Sequence, residues 1–208
     1  MKRIDKSVPL ALTDDAKTIY LKDDVIDVLP DVYEPADDSY LLLEAACKEV
    51  RPTDTVLEVG TGCGLIAKVL AKRARCVIAT DINPHAVVNA RLNGVDAVEA
   101  DLFGDLNDKF DLIIFNPPYL PAGSDTANDW YAKAVDGGAM GYEVILTFIS
   151  RVCSHLTPHG RALVLISSLT GYRTVVENMR CEFELVKTVA EQKCFFETLY
   201  VIIGQLQE

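Results

Sequence analysis

The sequence predicts a doubly wound α/β fold with a mostly parallel seven-stranded sheet that ends in an antiparallel hairpin. From residue 55 onward, apolar runs of strand length alternate with helical patterns, which is typical of β-α-β units. A glycine-rich loop follows the first of these apolar runs, where doubly wound sheets bind ligands. Near the C-terminus, two extended runs follow each other with a tight connection, which predicts a hairpin.

Each element has its own local signal. The predicted strands are 55–59, 76–80, 95–100, 110–115, 160–167, 183–192 and 194–203. The predicted helices are 40–50, 65–73, 84–93, 142–155 and 171–180. Asp37, Asp38 and Ser39 offer capping side chains before the first helix, and Asn83 with Pro84 marks the start of the third.

The sequence predicts one domain with a short N-terminal extension. A chain of 208 residues, half of them hydrophobic, buries one substantial core but is short for two. We assign residues 31–208 to the domain and residues 1–30 to an N-terminal extension. Within the extension, residues 18–20 and 25–28 are compatible with a short strand pair.

Composition excludes several classes of protein. A formal net charge of −11 disfavours a broad surface for a nucleic acid backbone. No apolar run reaches the roughly 20 residues of a membrane span. The first ten residues carry charges and lack the apolar stretch of a secretory signal. We therefore expect a cytoplasmic protein.

The six cysteines are scattered without a C-x-x-C pair, and no histidine stands at metal-ligand spacing. We expect reduced, mostly buried thiols and no metal site. Cys63 is the candidate for another role, since it lies in the glycine loop. His85, His155 and His159 have no partner pattern and read as structural or solvated residues.

The glycine loop predicts a cofactor site. Glu58 ends the first core strand, and Gly60, Thr61 and Gly62 follow in the sequence E-V-G-T-G-C-G. Glycine lets backbone N–H groups approach a ligand closely. Asp81 ends the next strand at the spacing of a carboxylate that binds ribose hydroxyls.

Two cofactors fit this loop and carboxylate, a nicotinamide dinucleotide and S-adenosylmethionine. The spacing G-x-G-x-G departs from the dinucleotide pattern G-x-G-x-x-G. Glu58 would repel a pyrophosphate but suits the ammonium of a methionine moiety, which favours S-adenosylmethionine. Asp101 after the third strand is suited to an adenine amino group with Leu102 packed on the ring, although a simple turn residue is the alternative.

Asn116, Pro117, Pro118 and Tyr119 follow the strand 110–115 and should face the same sheet edge as the glycine loop. The Asn116 side-chain oxygen and the Pro117 carbonyl could each accept one N–H of a planar NH₂ group. Tyr119 could stack on that group, and the prolines contribute no competing N–H. The pattern favours methyl transfer to a planar nitrogen by proximity and orientation, without a conventional general base. A Pro-Pro turn that ends a strand is the alternative.

These residues resemble class I, Rossmann-like S-adenosylmethionine methyltransferases with an Asn-Pro-Pro-Tyr motif. The stretch 31–43, D-V-Y-E-P-A-D-D-S-Y-L-L-L, resembles the HemK-like release factor glutamine N5-methyltransferases of archaea and eukaryotes, as do 80–84, 137–138 and 141–144. The resemblance implies that the catalytic residues are Asn116, Pro117, Pro118 and Tyr119. The implied cofactor residues are Ser39, Glu58, Gly60, Thr61, Gly62, Asp81, Ile82, Asp101, Leu102 and Asn116.

The resemblance also implies a substrate and a partner. The substrate would be the glutamine of a Gly-Gly-Gln motif in a peptide chain release factor, and the partner a small zinc-binding activator subunit. Bacterial members carry a separate helical domain ahead of the catalytic one, and the stretch before Val32 is too short for it. Methylation of adenine N6 in DNA, of guanine in RNA, or of a protein lysine remains as the alternative.

The loop 123–133 matches no family pattern. Trp130 and Tyr131 lie in it, and they either cover a substrate or pack a long connection.

Overall fold

The structure is a computed structural model, and it describes residues 16–121 and 130–207. The strands are β1 Lys17–Tyr20, β2 Val25–Val28, β3 Thr55–Val59, β4 Cys76–Asp81, β5 Ala97–Glu99, β6 Phe110–Phe115, β7 Leu156–Ser167, β8 Leu185–Lys193 and β9 Thr198–Gln205. The helices are α1 Asp37–Glu49, α2 Leu65–Leu70, α3 Pro84–Leu92, α4 Trp130–Val135, α5 Glu143–Val152 and α6 Tyr172–Glu182. A short 3₁₀ helix, Cys153–His155, follows α5.

The main sheet has the strand order β5-β4-β3-β6-β7-β9-β8. Strands β3 to β7 pair in parallel, and β9 pairs antiparallel with both β7 and β8. The predicted fold class is therefore confirmed. The order reverses between β3 and β6, so a crevice opens at the carboxyl ends of these strands.

Helices cover both faces of the sheet because its central strands are apolar on both sides. Leu57 and Ile113 pack in a cluster with side chains of α5 and α6. Their neighbours Val56 and Leu112 point to the opposite face and pack with α1 and α2. The cores on both sides fix the strand ends that carry the crevice.

Several predicted boundaries are wrong. Asp37, Asp38 and Ser39 do not cap α1: the helix begins at Asp37, and its N-cap Ala36 has no side-chain cap bond. The two aspartates instead lie in the first turn, where negative charge favours the helix dipole. Helix α2 ends at Leu70, three residues early, and β5 is only three residues long.

The bounds of the later strands differ from the predicted ones because of how these strands pair. Strand β7 starts at Leu156, not at the predicted residue 160, because Leu156 pairs with Phe110 across a register shift. Cys194 belongs to the turn between β8 and β9, not to a strand, since its N–H donates to the Glu197 carbonyl. The described end of the loop 123–133 is helical and forms the start of α4.

The expectation of mostly buried thiols is also wrong. All six cysteines are free, but only Cys63 is buried, and Cys76 and Cys181 are exposed. Exposing a single thiol to water costs little free energy, because the cysteine side chain is small.

The hairpin of β1 and β2 is held against α3 by asparagine side chains. Asn89 donates to the Asp27 carbonyl at 2.7 Å and accepts from the Leu29 N–H at 2.8 Å. Asn93 bonds to both backbone groups of Asp27 and also donates to the Cys63 carbonyl at 2.8 Å. Both side-chain amides are buried. They provide the hydrogen-bond partners that the backbone of β2 would otherwise find in a neighbouring strand. The division at residue 30 stays a prediction.

Candidate functional site

A cavity of about 590 Å³ opens at the carboxyl ends of β3, β4 and β6. A volume of this size suits a cofactor-sized ligand. All the site residues predicted from the sequence line it, namely Ser39, Glu58, Gly60, Thr61, Gly62, Asp81, Ile82, Asp101, Leu102, Asn116, Pro117, Pro118 and Tyr119. The structure thus brings the predicted cofactor loop and reaction motif into one space.

The glycine loop is shaped by backbone conformations that favour glycine. Gly60 has φ +65°, and a Cβ there would lie 3.3 Å from Cε2 of Phe115. Gly64 has φ +84°, and its Cβ would lie 2.9 Å from Cγ2 of Val95. The Thr61 N–H donates to the Thr80 carbonyl at 3.0 Å, which anchors the loop to β4. Gly60 and Gly62 line the cavity, so at these two positions its wall is backbone without a side chain.

Glu58 stabilises this loop from inside. Its Oε2 accepts a hydrogen bond from the Thr61 hydroxyl at 2.6 Å and from the Ala67 N–H at 2.9 Å. The side chain is buried, and that burial raises the pKa of the carboxyl to about 8. A cation in the cavity would favour the ionised form again.

Asp81 joins the loop to the turn after β4. Its two oxygens accept from the Gly62 N–H and the Asn83 N–H, both at 2.8 Å. Burial raises the pKa of this carboxyl as well. An ionised carboxylate has further lone pairs, and these can accept from ligand hydroxyls.

The part of the site that is predicted to hold the adenine ring is less enclosed by the protein. Asp101 is exposed, whereas Leu102 is buried with φ +53°. The Leu102 carbonyl accepts from the Thr80 hydroxyl at 2.8 Å, which holds the unusual backbone in place. Ile82 is 56% exposed at the cavity wall, so it offers apolar surface to a ring.

Asp38 is a residue of this cavity that sequence reasoning did not assign to the site, because it was interpreted only as a helix cap. It is buried in the wall beside Asn116. Its Oδ2 accepts from Asn116 Nδ2 at 3.1 Å, from the Tyr33 hydroxyl at 3.1 Å and from the Tyr119 hydroxyl at 3.4 Å. Its Oδ1 accepts from both the N–H and the hydroxyl of Ser39.

This contact determines how the Asn116 amide is turned. A carboxylate only accepts hydrogen bonds, so Asn116 must present its NH₂ group to Asp38. The other end of the amide, Oδ1, is buried and has no hydrogen-bond partner among the described residues. An unsatisfied buried acceptor is costly, and a donor from a substrate would satisfy it.

Tyr119 stays protonated in the cavity wall. Burial and the Asp38 carboxylate raise the pKa of its phenol well above the usual range. Glu197, which sequence reasoning also missed, lines the same side of the cavity and contributes to this shift. The Ser167 hydroxyl donates to Glu197 and holds it there.

Helix α4 forms another part of the wall. The ammonium of Lys133 lies 4.4 Å from the ring centroid of Trp130, whose ring meets that of His85 edge to face at 6.5 Å. Trp130 and Lys133 line the cavity. The side chain of Tyr131 and residues 122–129 lie outside what the structure describes, so the prediction for this segment is tested only in part.

The cavity is electrically negative. Within the described wall, Lys133 is the single cation, and six carboxyl groups are present: Asp38, Glu58, Asp81, Asp101, Asp136 and Glu197. The raised pKa of Glu58 leaves that carboxyl mainly protonated near neutral pH, but the other carboxyl groups still outnumber Lys133. This charge suits a ligand that carries ammonium or sulfonium groups and disfavours a pyrophosphate. No group of three or more metal-ligating side chains occurs in residues 16–121 and 130–207. In the same residues, no helix has the length and apolarity to cross a membrane.

Comparison with known proteins agrees with this geometry. Residues 35–197 match the family model of the methyltransferase small domain. The putative protein N5-glutamine methyltransferase MJ0928 of Methanocaldococcus jannaschii is 42% identical over 83% of this chain and 91% of its own length. Human methyltransferase HEMK2 is 32% identical over 83% of this chain and 88% of its own length.

A solved structure shows the same fold. The Mtq2-Trm112 complex of E. cuniculi, described as methylating the termination factor eRF1, aligns with a TM-score of 0.72 and 30% identity. The match covers 85% of this chain and 99% of the other. The chain therefore belongs to the methyltransferase small domain family and, within it, to the HemK-like protein glutamine methyltransferases.

Proposed function

We propose that the protein is an S-adenosylmethionine-dependent methyltransferase that methylates N5 of a glutamine side chain, in the Gly-Gly-Gln motif of a peptide chain release factor. The observation that carries this proposal is the Asn116 amide, whose NH₂ group is held by Asp38 and whose oxygen lacks a donor. A primary carboxamide supplies such a donor.

The residues of the cavity fit the cofactor. The glycine backbone leaves room at its floor, Asp81 accepts hydroxyl groups, and the surrounding carboxylates attract a cationic ligand. Asp101, Ile82 and Leu102 would form the adenine side. When bound, S-adenosylmethionine supplies an electrophilic methyl group on its sulfonium sulfur.

The reaction motif would act on the glutamine by positioning. Asn116 Oδ1 accepts one N–H of the target amide, and the Pro117 carbonyl accepts the other. Both bonds would orient the nitrogen toward the methyl group. Transfer would break the bond between that methyl group and sulfur, leave its electron pair on sulfur, and release one amide proton to solvent. Tyr119 stacks on the planar amide, and its protonated phenol stays bound to Asp38.

The comparison with Mtq2 supports a partner. E. cuniculi Mtq2 forms a complex with Trm112, so we propose that this chain also pairs with a small activator subunit, with zinc in that subunit. We also propose a cytoplasmic location, which the proposed substrate supports because release factors act in translation.

The test is methyl transfer from labelled S-adenosylmethionine to the release factor of the source organism, with the activator subunit present. The substrate is compared with its Gln→Ala variant, and the enzyme with Asn116→Ala. We expect label to disappear in both comparisons. Label that persists on the Gln→Ala protein would indicate a lysine target, and label that appears only with nucleic acid would contradict the proposal.

A further inference from the structure

The turn between β8 and β9 exposes two aromatic side chains. Phe195 is 91% exposed and Phe196 is 82% exposed, and their rings meet edge to face at 4.6 Å. Within the described residues they are the most exposed large hydrophobic side chains. The turn is closed by the bond from the Cys194 N–H to the Glu197 carbonyl. Adjacent exposed aromatics on a short, closed turn are typical of a contact surface.

This turn borders the cavity. Glu197, the next residue, lines the cavity itself. The Ser168 N–H donates to the Thr198 carbonyl at 2.8 Å, and the Thr198 N–H donates to the Ser168 hydroxyl at 2.9 Å. Leu169, beside this pairing, is 56% exposed. We call Phe195, Phe196 and Leu169 the apolar rim.

Carboxyl groups lie on the cavity side of the apolar rim. Glu197 directly follows the two phenylalanines and lines the cavity together with Asp38. Burial, with the carboxylates of Asp37, Glu197 and Asp38, raises the pKa of the Cys194 thiol in the turn, while the exposed Lys193 precedes the turn. The carboxyl groups on the cavity side favour a partner that supplies positive charge as well as apolar side chains. A second copy of this chain, with its net charge of −11, would meet like charge instead.

We propose that the apolar rim docks the polypeptide of the protein substrate next to the residue to be methylated, through apolar and basic side chains of that segment. The inference rests on the proposed function. A side chain that enters the cavity leaves its backbone at the mouth, so the flanking residues of the substrate come to lie on the rim. The rim then contributes to substrate affinity and not to the chemical step.

The experiment measures steady-state methyl transfer to the release factor by the complex with its activator, for the wild type and for Phe195→Ser/Phe196→Ser. Tyr20→Ser is the matched control, because Tyr20 is also 79% exposed but lies on the β1–β2 hairpin, which packs against α3 and not against the β8–β9 turn. We expect the double variant to raise KM for the release factor about tenfold, as loss of an aromatic anchor does, with kcat changed less than about twofold. A short Gly-Gly-Gln peptide should be methylated equally by both enzymes, and Phe195→Leu/Phe196→Leu should recover most of the affinity.

The outcomes separate the two proposals. A wild-type enzyme that transfers no label to the release factor contradicts the proposed function. An active wild type whose KM is unchanged in the double variant, or raised equally by Tyr20→Ser, overturns the docking role of the rim. An equal loss on the short peptide would overturn it as well, since it would assign the phenylalanines to the cavity.

Discussion

The carboxylate of Asp38 accepts a hydrogen bond from the amide of Asn116 over 3.1 Å, although 78 residues separate them in the chain. One residue lies in the first turn of α1 and the other directly after β6. The contact fixes the Asn116 side chain with its oxygen available for a substrate. Asp38 is therefore a positioning residue for the proposed reaction.

Asp38→Asn should lower kcat about 10²-fold, the usual cost of losing one preorganised polar group. An asparagine has one acceptor oxygen, so it cannot bind both Ser39 and the donors on Oδ2. Asp37→Asn is the control, because that neighbouring residue is exposed. Steady-state rates with labelled cofactor measure the effect, and full activity of Asp38→Asn would refute it.

Glu58 should make the cofactor-free protein less stable as pH rises. Its pKa is raised from 4.5 to about 8 in the fold, so the folded state retains a proton that the unfolded chain releases. Stability should fall between about pH 4.5 and pH 8, by an amount on the order of a few kcal/mol. The pKa of Asp81 is raised as well, so this residue adds to the slope of stability against pH.

Urea unfolding at several pH values, with the wild type and Glu58→Gln, isolates the contribution of Glu58. We expect a flatter pH dependence in the variant, because glutamine does not titrate. Parallel curves for the two proteins would show that Glu58 ionises in the fold as it does in the unfolded chain.

Asp54→Ala should destabilise the protein by about 3–5 kcal/mol, because it leaves a buried charge unpaired. Arg161 Nη2 lies 2.6 Å from Asp54 Oδ2, and both side chains are at most 5% exposed. The pair of Lys17 and Glu34 is the control, since their side chains are 65% and 49% exposed. Glu34→Ala should cost less than about 1 kcal/mol. Chemical denaturation measures both, and similar losses would contradict the expectation.

Gly64→Ala should cost about 1–3 kcal/mol more than Gly94→Ala, the usual range for overpacking. Both glycines have positive φ, +84° and +86°, so both substitutions carry similar backbone strain. A Cβ at Gly64 would meet Val95 and Ala90, whereas a Cβ at Gly94 has nothing within 4 Å. Thermal unfolding of the two variants compares them, and equal melting temperatures would refute the steric argument.

Local sequence patterns predicted the order and type of the strands and helices in the domain well. The strand 110–115 has the same bounds in sequence and structure because its apolar side chains are buried on both faces. The predicted site residues meet in one cavity because the carboxyl ends of parallel strands share one edge of the sheet. Such inferences need only the order of elements along the chain.

Long-range contacts explain what the sequence did not predict. The role of Asp38 depends on the packing of α1 beside the end of β6, and that of Glu197 on the antiparallel pairing of β9 with β7. Apart from the carboxylate side chain itself, the local sequence around Asp38 or Glu197 does not indicate these contacts. The exposed cysteines likewise depend on which surface each element presents.

Two asparagines, one in α3 and one directly after it, determine where a shortened chain could begin. Asn89 and Asn93 are buried, and they use their amides on Asp27, Leu29 and Cys63. A fragment that starts at Asp31 would lose the hairpin and leave most of these amide groups without partners, right beside the cofactor loop. For laboratory work, residues 17–30 belong with the catalytic part of the chain, even though their own sequence contains no catalytic motif.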